Sequence, residues 1–225
     1  MTRPGGFLRR SAVTTFRDRR EAGRVLAEHL SEYRAAADAL VLGLARGGVP
    51  VGWEVAAALR VPLDVFLVRK LGVPTWPELA MGALAGGGRV VLNESVLTEL
   101  NIDDAVVQSV IERESVELRR RELAYRGGRP APDLRGRVVI LVDDGIATGA
   151  SMLAAVRAVR GVDPAAVVVA VPVGPASACA TIAREADDVV CALTPPRFDA
   201  VGQVYLDFHQ VGDDEVTELL AAPTC

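Results

Sequence analysis

A chain of 225 residues, half of them apolar and only 4% aromatic, can bury one aliphatic core as a single domain. Its formal charge of −4 and pI of 5.3 exclude a broad nucleic-acid or anionic-membrane surface, although they allow a local basic pocket. Three cysteines without metal-ligand spacing and only two histidines leave little for a histidine-based metal centre or triad, and suggest buried, reduced thiols in a cytoplasmic protein.

The N-terminus, MTRPGGFLRRSAV, lacks the apolar stretch of a secretory signal. No apolar run approaches the ~18 residues of a membrane span. From Phe16, FRDRREAGRVLAEHL predicts a helix: Asp18 can cap it, Glu21 completes a capping box, and Val25, Leu26 and Leu30 mark an apolar face. ALVLGL (39–44) predicts a buried strand ending in ARGG, VGWEVAAAL (51–59) a helix, and PLDVFLV (62–68) a second strand ending in Arg69-Lys70. Residues 71–89 carry Pro74, Pro77 and a glycine cluster, a composition that favours turns and mobility. VVL (90–92) reads as an edge strand and 103–126 as a long helix, with Val107, Ile111, Leu118 and Tyr125 on one side. Arg113/Glu117, Glu117/Arg121 and Glu122/Arg126 are spaced to support that helix, and its Arg119-Arg120-Arg121 run reads as a solvated face.

A strand at 137–142, a helix at 150–160, the strand AAVVVAVPV, a helix near 176–184 and the strand DVVCAL follow. The tail from Thr194 to Val211 is irregular and aromatic, and ends in a short helix from Asp213. Strands alternating with helices predict an α/β fold with a mostly parallel sheet flanked by helices.

In such sheets ligands bind beyond the carboxyl ends of the strands. Three unusual loops fall there: Arg46-Gly47-Gly48, Arg69-Lys70, and Asp143 through Ser151. Thr148, Gly149, Ala150 and Ser151 open a helix, whose free N–H groups and positive dipole end suit a phosphate. Asp143 and Asp144 would repel that phosphate. They make sense facing the ligand's other end, accepting bonds from sugar hydroxyls and holding a hydrated Mg²⁺. A ligand with phosphate at one end and a diol at the other is a ribose 5-phosphate. Arg46 with its glycines, and Lys70, the chain's single lysine, could hold a second anion such as a pyrophosphate.

VVILVDDGIATGAS resembles the phosphoribosyl pyrophosphate (PRPP) motif of type I phosphoribosyltransferases, LARGGVPVG their pyrophosphate loop, and Arg69-Lys70 the basic pair after their second strand. RFDAVGQVYLDFHQV (197–211), with the N-terminal helix, is similar to the hood of bacterial members. The resemblance implies one domain, with a core about 36–193 and a hood about 14–35 and 194–225. It implies transfer of the 5-phosphoribosyl group of PRPP to a nitrogen acceptor, a nucleobase by default, with release of pyrophosphate and with Mg²⁺ as cofactor. Ala147, Thr148, Gly149, Ala150 and Ser151 would bind the 5′-phosphate; Arg46, Gly47, Gly48, Arg69 and Lys70 the pyrophosphate; and Asp143 and Asp144 the ribose and, through water, the metal. Glu78 would carry the proton, Phe198, Val201 and Tyr205 would border the acceptor, and the protein would be a homodimer. Relatives acting on 6-oxopurines carry an aspartate where this chain has Ala147, so the loop is closer to the adenine type.

Two acids after an apolar strand also suit a Walker B element, but no G-x-x-x-x-G-K-[ST] loop is present. A methyltransferase glycine loop would need glycine where Ala147 stands. The rival from another class is a non-catalytic PRPP or nucleotide sensor, which would bind PRPP and release no pyrophosphate.

Overall fold

The computed structural model describes residues 15–224, apart from the side chains of Pro77 and Glu78. The proposed proton carrier Glu78 therefore lies outside the described side chains.

The main sheet is parallel and five-stranded, in the order β2-β1-β6-β7-β8, formed by β1 (Ala39–Leu44), β2 (Leu63–Phe66), β6 (Val138–Val142), β7 (Ala166–Val173) and β8 (Asp188–Leu193). The parallel α/β architecture expected from the alternating pattern is the one observed. The strands are near-continuous aliphatic runs because both faces are covered. On one face, α1 (Arg19–Glu28) and α2 (Gly48–Leu59) bury Leu26, Leu30, Val51 and Val55 against Val41, Ile140 and Val168. On the other, α5 (Ala150–Arg160) and α6 (Ala176–Ile182) bury Val156, Val159 and Ile182 against Leu42, Leu141 and Val169. The strand pleat sends alternate residues to opposite cores. Removing one such aliphatic side chain costs about 2–5 kcal/mol.

The helix α1 is capped by Asp18, whose Oδ1 accepts the Glu21 N–H at 2.8 Å. The Glu21 carboxylate accepts from the Arg17 N–H, so the reciprocal half of the expected capping box falls one residue early. Gly23 lets α1 lie directly on α2: a Cβ there would stand 2.6 Å from the Val51 carbonyl oxygen. Helix α2 starts at Gly48, earlier than the expected Val51. Pro50 does not delay it, because a first-turn residue has no use for its N–H.

The expectation for 62–89 needs correction. Val68 and Arg69-Lys70 do not end the second strand; they belong to β3 (Val68–Val73), which pairs antiparallel with β4 (Trp76–Ala85), itself paired with β5 (Arg89–Leu92). The stretch read as turn-rich loop is thus largely a three-stranded sheet, with the expected edge strand at 90–92. Its glycines serve the pairing: a Cβ on Gly82 would approach the Val91 carbonyl oxygen to 2.6 Å, and the register shifts at Gly72. A short helix the sequence reading lacked, α3 (Glu94–Glu99), leads into α4 (Asp104–Arg126).

Val107, Val110, Leu118 and Tyr125 of α4 are buried in a third core with β3, β4 and α7 (Asp213–Ala221). Two of the three expected helix pairs form, Glu117–Arg121 at 2.7 Å and Glu122–Arg126 at 3.5 Å. Arg113 turns instead to Glu114. No helix among the described residues is long and apolar enough to cross a membrane.

Candidate active site

Strands β1 and β6 are parallel neighbours, with Gly43 opposite Val142, and here the sheet order reverses direction. The loops leaving two such strands part to opposite faces and leave a crevice between them. Gly47 and Gly48 press into that crevice. A Cβ on Gly48 would lie 2.4 Å from the Val142 carbonyl oxygen, and one on Gly47 only 2.1 Å from Asp144 Oδ2. The Arg-Gly-Gly loop is therefore in contact with the acid pair, and both glycines are required by that contact.

Asp143 Oδ1 accepts the Asp144 N–H at 2.9 Å. Burial pushes the Asp143 carboxyl well above the usual carboxylate range, and the neighbouring Asp144 charge pushes the same way. Burial raises Asp144 too, against the opposing pull of the Arg19 guanidinium. Arg19 Nε donates to Asp144 Oδ2 at 2.8 Å, and Tyr205 Oη donates to the Asp144 carbonyl at 2.6 Å. The two acids thus differ in environment, Asp144 being the one paired with a cation.

Gly149 adopts a left-handed conformation (φ 83°) at the start of α5, which a residue with a Cβ adopts only under strain. Thr148 Oγ1 accepts the Ala150 N–H at 3.4 Å. Ala147, Thr148, Ala150 and Ser151 are exposed around a cavity of about 200 Å³ that also reaches Asp143 and Val201. The unpaired N–H groups of a helix's first turn make such a cavity suited to an anion.

Arg46 shares a second cavity, of about 350 Å³, with Arg19, Asp144, Phe208 and His209. Asp213, at the start of α7, lies 3.5 Å from the Arg46 guanidinium and also accepts from Tyr125 Oη at 2.6 Å. Burial, followed by this bond, pushes the Tyr125 hydroxyl up to about 12. Arg69 and Lys70 go elsewhere. Arg69 is held by Glu114 of α4 at 2.6 Å; burial works against ionisation of Glu114, but its bonds to Arg69 and Arg113 outweigh this and lower its pKa. Lys70 lines a third cavity, of about 310 Å³, between the small sheet and α5, together with Ala150 and Ser151 of the phosphate-type loop. The structure therefore brings Arg46 and Gly47 to Asp144, and Lys70 to Ser151.

Of the acceptor candidates, Phe198 and Val201 pack with Phe16 and Val173, and Val201 lies against Gly145. Tyr205 contacts two rings, Phe16 at 5.6 Å and Phe208 at 5.0 Å. Phe208 in turn carries the Arg19 guanidinium on its ring at 4.0 Å. The segment is anchored to the start of the described chain, with Phe16 N–H donating to Val204 O at 2.7 Å. Sequence reasoning missed Arg19, Asp213 and Glu114. Arg19 had a signal: the buried stripe Leu26, Ala22 continued back one turn reaches residue 19.

A parallel sheet with a helix-start loop, an acid pair and a glycine loop converging where its order reverses is the α/β arrangement in which a ligand site lies at that crevice. More narrowly, the chain belongs to the phosphoribosyl transferase domain family, whose model matches residues 17–209. It is 49% identical over 205 residues to a protein of Mycobacterium tuberculosis (strain H37Rv) named "Putative phosphoribosyl transferase Rv0571c", with 91% of this chain and 46% of that protein covered. The chain thus spans about half the length of the curated relatives it matches. The crystal structure of TT1426 from Thermus thermophilus superposes with a TM-score of 0.81 at 46% identity, covering 92% of this chain and 97% of that one.

Proposed function

We propose that the protein transfers the 5-phosphoribosyl group of PRPP to a nitrogen of a small acceptor, a nucleobase in the first instance, and releases pyrophosphate. The observation that carries this reading is the contact of the Arg46-Gly47 loop with Asp144 in the crevice where the Thr148–Ser151 loop also opens. One anion site on each side of a carboxylate pair matches a ligand with phosphate at one end, pyrophosphate at the other and a diol between.

The five residues from Ala147 to Ser151 hold the 5′-phosphate. Asp143 and Asp144 hold the ribose hydroxyls and favour positive charge at the anomeric carbon. Arg46 neutralises the departing pyrophosphate, so that its stabilisation grows toward the transition state, and Lys70 joins it only by reaching across from the cavity it shares with Ser151. Arg69 could join them only by giving up Glu114. Among the described residues no group of three or more metal-ligating side chains gathers. Asp143 and Asp144 alone suit Mg²⁺, which keeps waters and binds largely through substrate phosphates; bound there it would supply further neutralisation of the pyrophosphate. Glu78 carries the acceptor's proton, and Phe198 and Val201 border the acceptor, with Tyr205 orienting Asp144 from behind. The working unit is a cytoplasmic homodimer in which residues about 14–35 and 194–225 form the hood.

The test is a phosphorus NMR time course of PRPP, Mg²⁺ and protein with a mixed pool of nucleobases and small amines. Pyrophosphate appearing only with the pool supports transfer, and dividing the pool names the acceptor. Asp143→Asn with Asp144→Asn should nearly abolish turnover; parental activity in that variant removes their role. A regulatory PRPP-binding reading draws on Ala147, which leaves the loop without a third acid. It expects PRPP signals that broaden with no pyrophosphate from any acceptor.

A further inference from the structure

Two charged residues are buried among those described, Arg19 and Arg126. Arg126 ties α4 to β2 through Asp64 and the Val65 carbonyl, far along the chain from the loops just described. Arg19 is different. It is the first residue of α1, where the positive end of the helix dipole disfavours a cation, and it is only 7% exposed. What compensates is on the site side. Nε donates to Asp144 Oδ2 at 2.8 Å, Nη1 donates to the His209 carbonyl at 2.7 Å, and the guanidinium lies 4.0 Å from the centre of the Phe208 ring.

These contacts divide the Asp144 carboxylate. Oδ2 is fixed between the Arg19 Nε and the backbone of Gly47, where even a Cβ would approach to 2.1 Å. Oδ1 is the oxygen that Arg19 does not engage, and Asp144 borders the 350 Å³ cavity. The planar fork of an arginine can serve a carboxylate, a carbonyl and a ring face at once, which an ammonium cannot. One side chain from the start of α1 thus sets the carboxylate and secures residues 208–209, which line the same cavity.

We infer that Arg19 is a positioning residue for the sugar-phosphate ligand: it holds Asp144 so that one carboxylate oxygen meets the ribose hydroxyls, and it ties residues 208–209 of the same cavity to that grip. The inference rests on the reading of Asp144 as a ribose ligand. Arg19 acts through Asp144, not on the reacting atoms.

The test compares three probes by calorimetry in the presence of Mg²⁺: PRPP, ribose 5-phosphate and inorganic pyrophosphate. R19M should weaken both ribose-bearing probes about 10- to 100-fold, the scale of losing a hydrogen bond to a charged group. It should weaken pyrophosphate clearly less, because pyrophosphate has no hydroxyls for Asp144 to hold, although Arg19 also lines the Arg46 cavity. R19K should recover little, because the carbonyl and the ring would lose their planar partner. Parental affinity of R19M for ribose 5-phosphate overturns the inference. If all three probes weaken together, R19A with added guanidinium ion decides: saturable recovery of ribose 5-phosphate affinity at an unchanged melting temperature supports positioning, and its absence overturns it. Failure of the parent protein to bind PRPP or ribose 5-phosphate would instead remove the ribose reading of Asp144 itself.

Discussion

Gly47→Ala perturbs the site by one methyl group and leaves every charged atom in place. The added Cβ would stand 2.1 Å from Asp144 Oδ2 and 2.6 Å from its Cγ, more than an ångström inside ordinary contact. Asp144 has little room to retreat. Arg19 holds Oδ2 at 2.8 Å, Tyr205 holds the carbonyl at 2.6 Å, and the Asp143 carboxylate holds the N–H at 2.9 Å. Either the carboxylate moves off Arg19 or the Arg46-Gly47 loop backs out of the crevice. Losing a hydrogen bond to the displaced carboxylate costs about 1.5–3 kcal/mol, about 10- to 150-fold in PRPP affinity, and overpacking costs about 1–3 kcal/mol of stability. At about 2–4 °C per kcal/mol for a chain of this size, the melting temperature should fall measurably.

Calorimetric titration with PRPP and Mg²⁺, with a thermal melt on the same sample, reads both quantities without knowledge of the acceptor. Gly212→Ala is the control, since a Cβ there meets nothing within 4 Å and should change stability by under about 0.5 kcal/mol. A Gly47→Ala protein with parental PRPP affinity and melting temperature would refute the reasoning, because it would mean that the Asp144 carboxylate does not rest against this loop.

Gly149→Ala forces an alanine into a left-handed conformation (φ 83°) at a cost of about 1–3 kcal/mol. It should weaken ribose 5-phosphate binding while leaving inorganic pyrophosphate binding nearly intact, as read by the same titrations. Arg126→Met removes the cation that bonds Asp64 at 3.1 Å and the Val65 carbonyl at 2.9 Å. Breaking a buried pair from one side costs about 3–5 kcal/mol, so urea unfolding should show a large fall in midpoint. His209 has its pKa raised by bonds to Asp207 and Glu215, so its proton stabilises the 207–215 contact below the free histidine pKa. That contribution is lost as pH rises through the raised value. Exposure keeps it under about 1 kcal/mol. NMR titration of the His209 ring should give a pKa above 6.5 that drops in Glu215→Gln; an unshifted value would contradict the contact.

The legible elements were those whose side chains carried one message. β1, α5 and β8 were read with the bounds they have, because an aliphatic run between turn residues, or a helix opened by Thr-Gly, admits few alternatives. The small sheet was illegible for the opposite reason. Gly72, Gly82 and Pro74 read locally as breakers, yet in the pairing Gly82 is what lets β4 approach the Val91 carbonyl. Local composition reported flexibility where tertiary pairing had used the absence of a side chain. Site chemistry divided along the same line. The acid pair and the helix-start loop are contiguous in sequence and could be read there. Arg19 acts on Asp144 across 125 positions, and Asp213 holds Arg46 from the last helix.

The aromatic residues of the hood show what the separation of partners conceals. Read singly, Tyr205 is a platform for a flat acceptor. In the fold Phe16, Tyr205, Phe208 and the Arg19 guanidinium form one chain of contacts, with the Phe16 ring tilted 43° to Tyr205 and the Phe208 ring stacked on it. Its hydroxyl is spent on the Asp144 carbonyl, and burial pushes that hydroxyl well above its ordinary pKa, so it stays a neutral donor. An acceptor that took the place of Phe208 on Tyr205 would also remove the ring that faces the Arg19 guanidinium. The stack therefore works as a brace that joins the hood to the carboxylate pair. Under the proposed transfer an acceptor would be bordered by groups outside it, such as Val201, which packs against Gly145 beside Asp144.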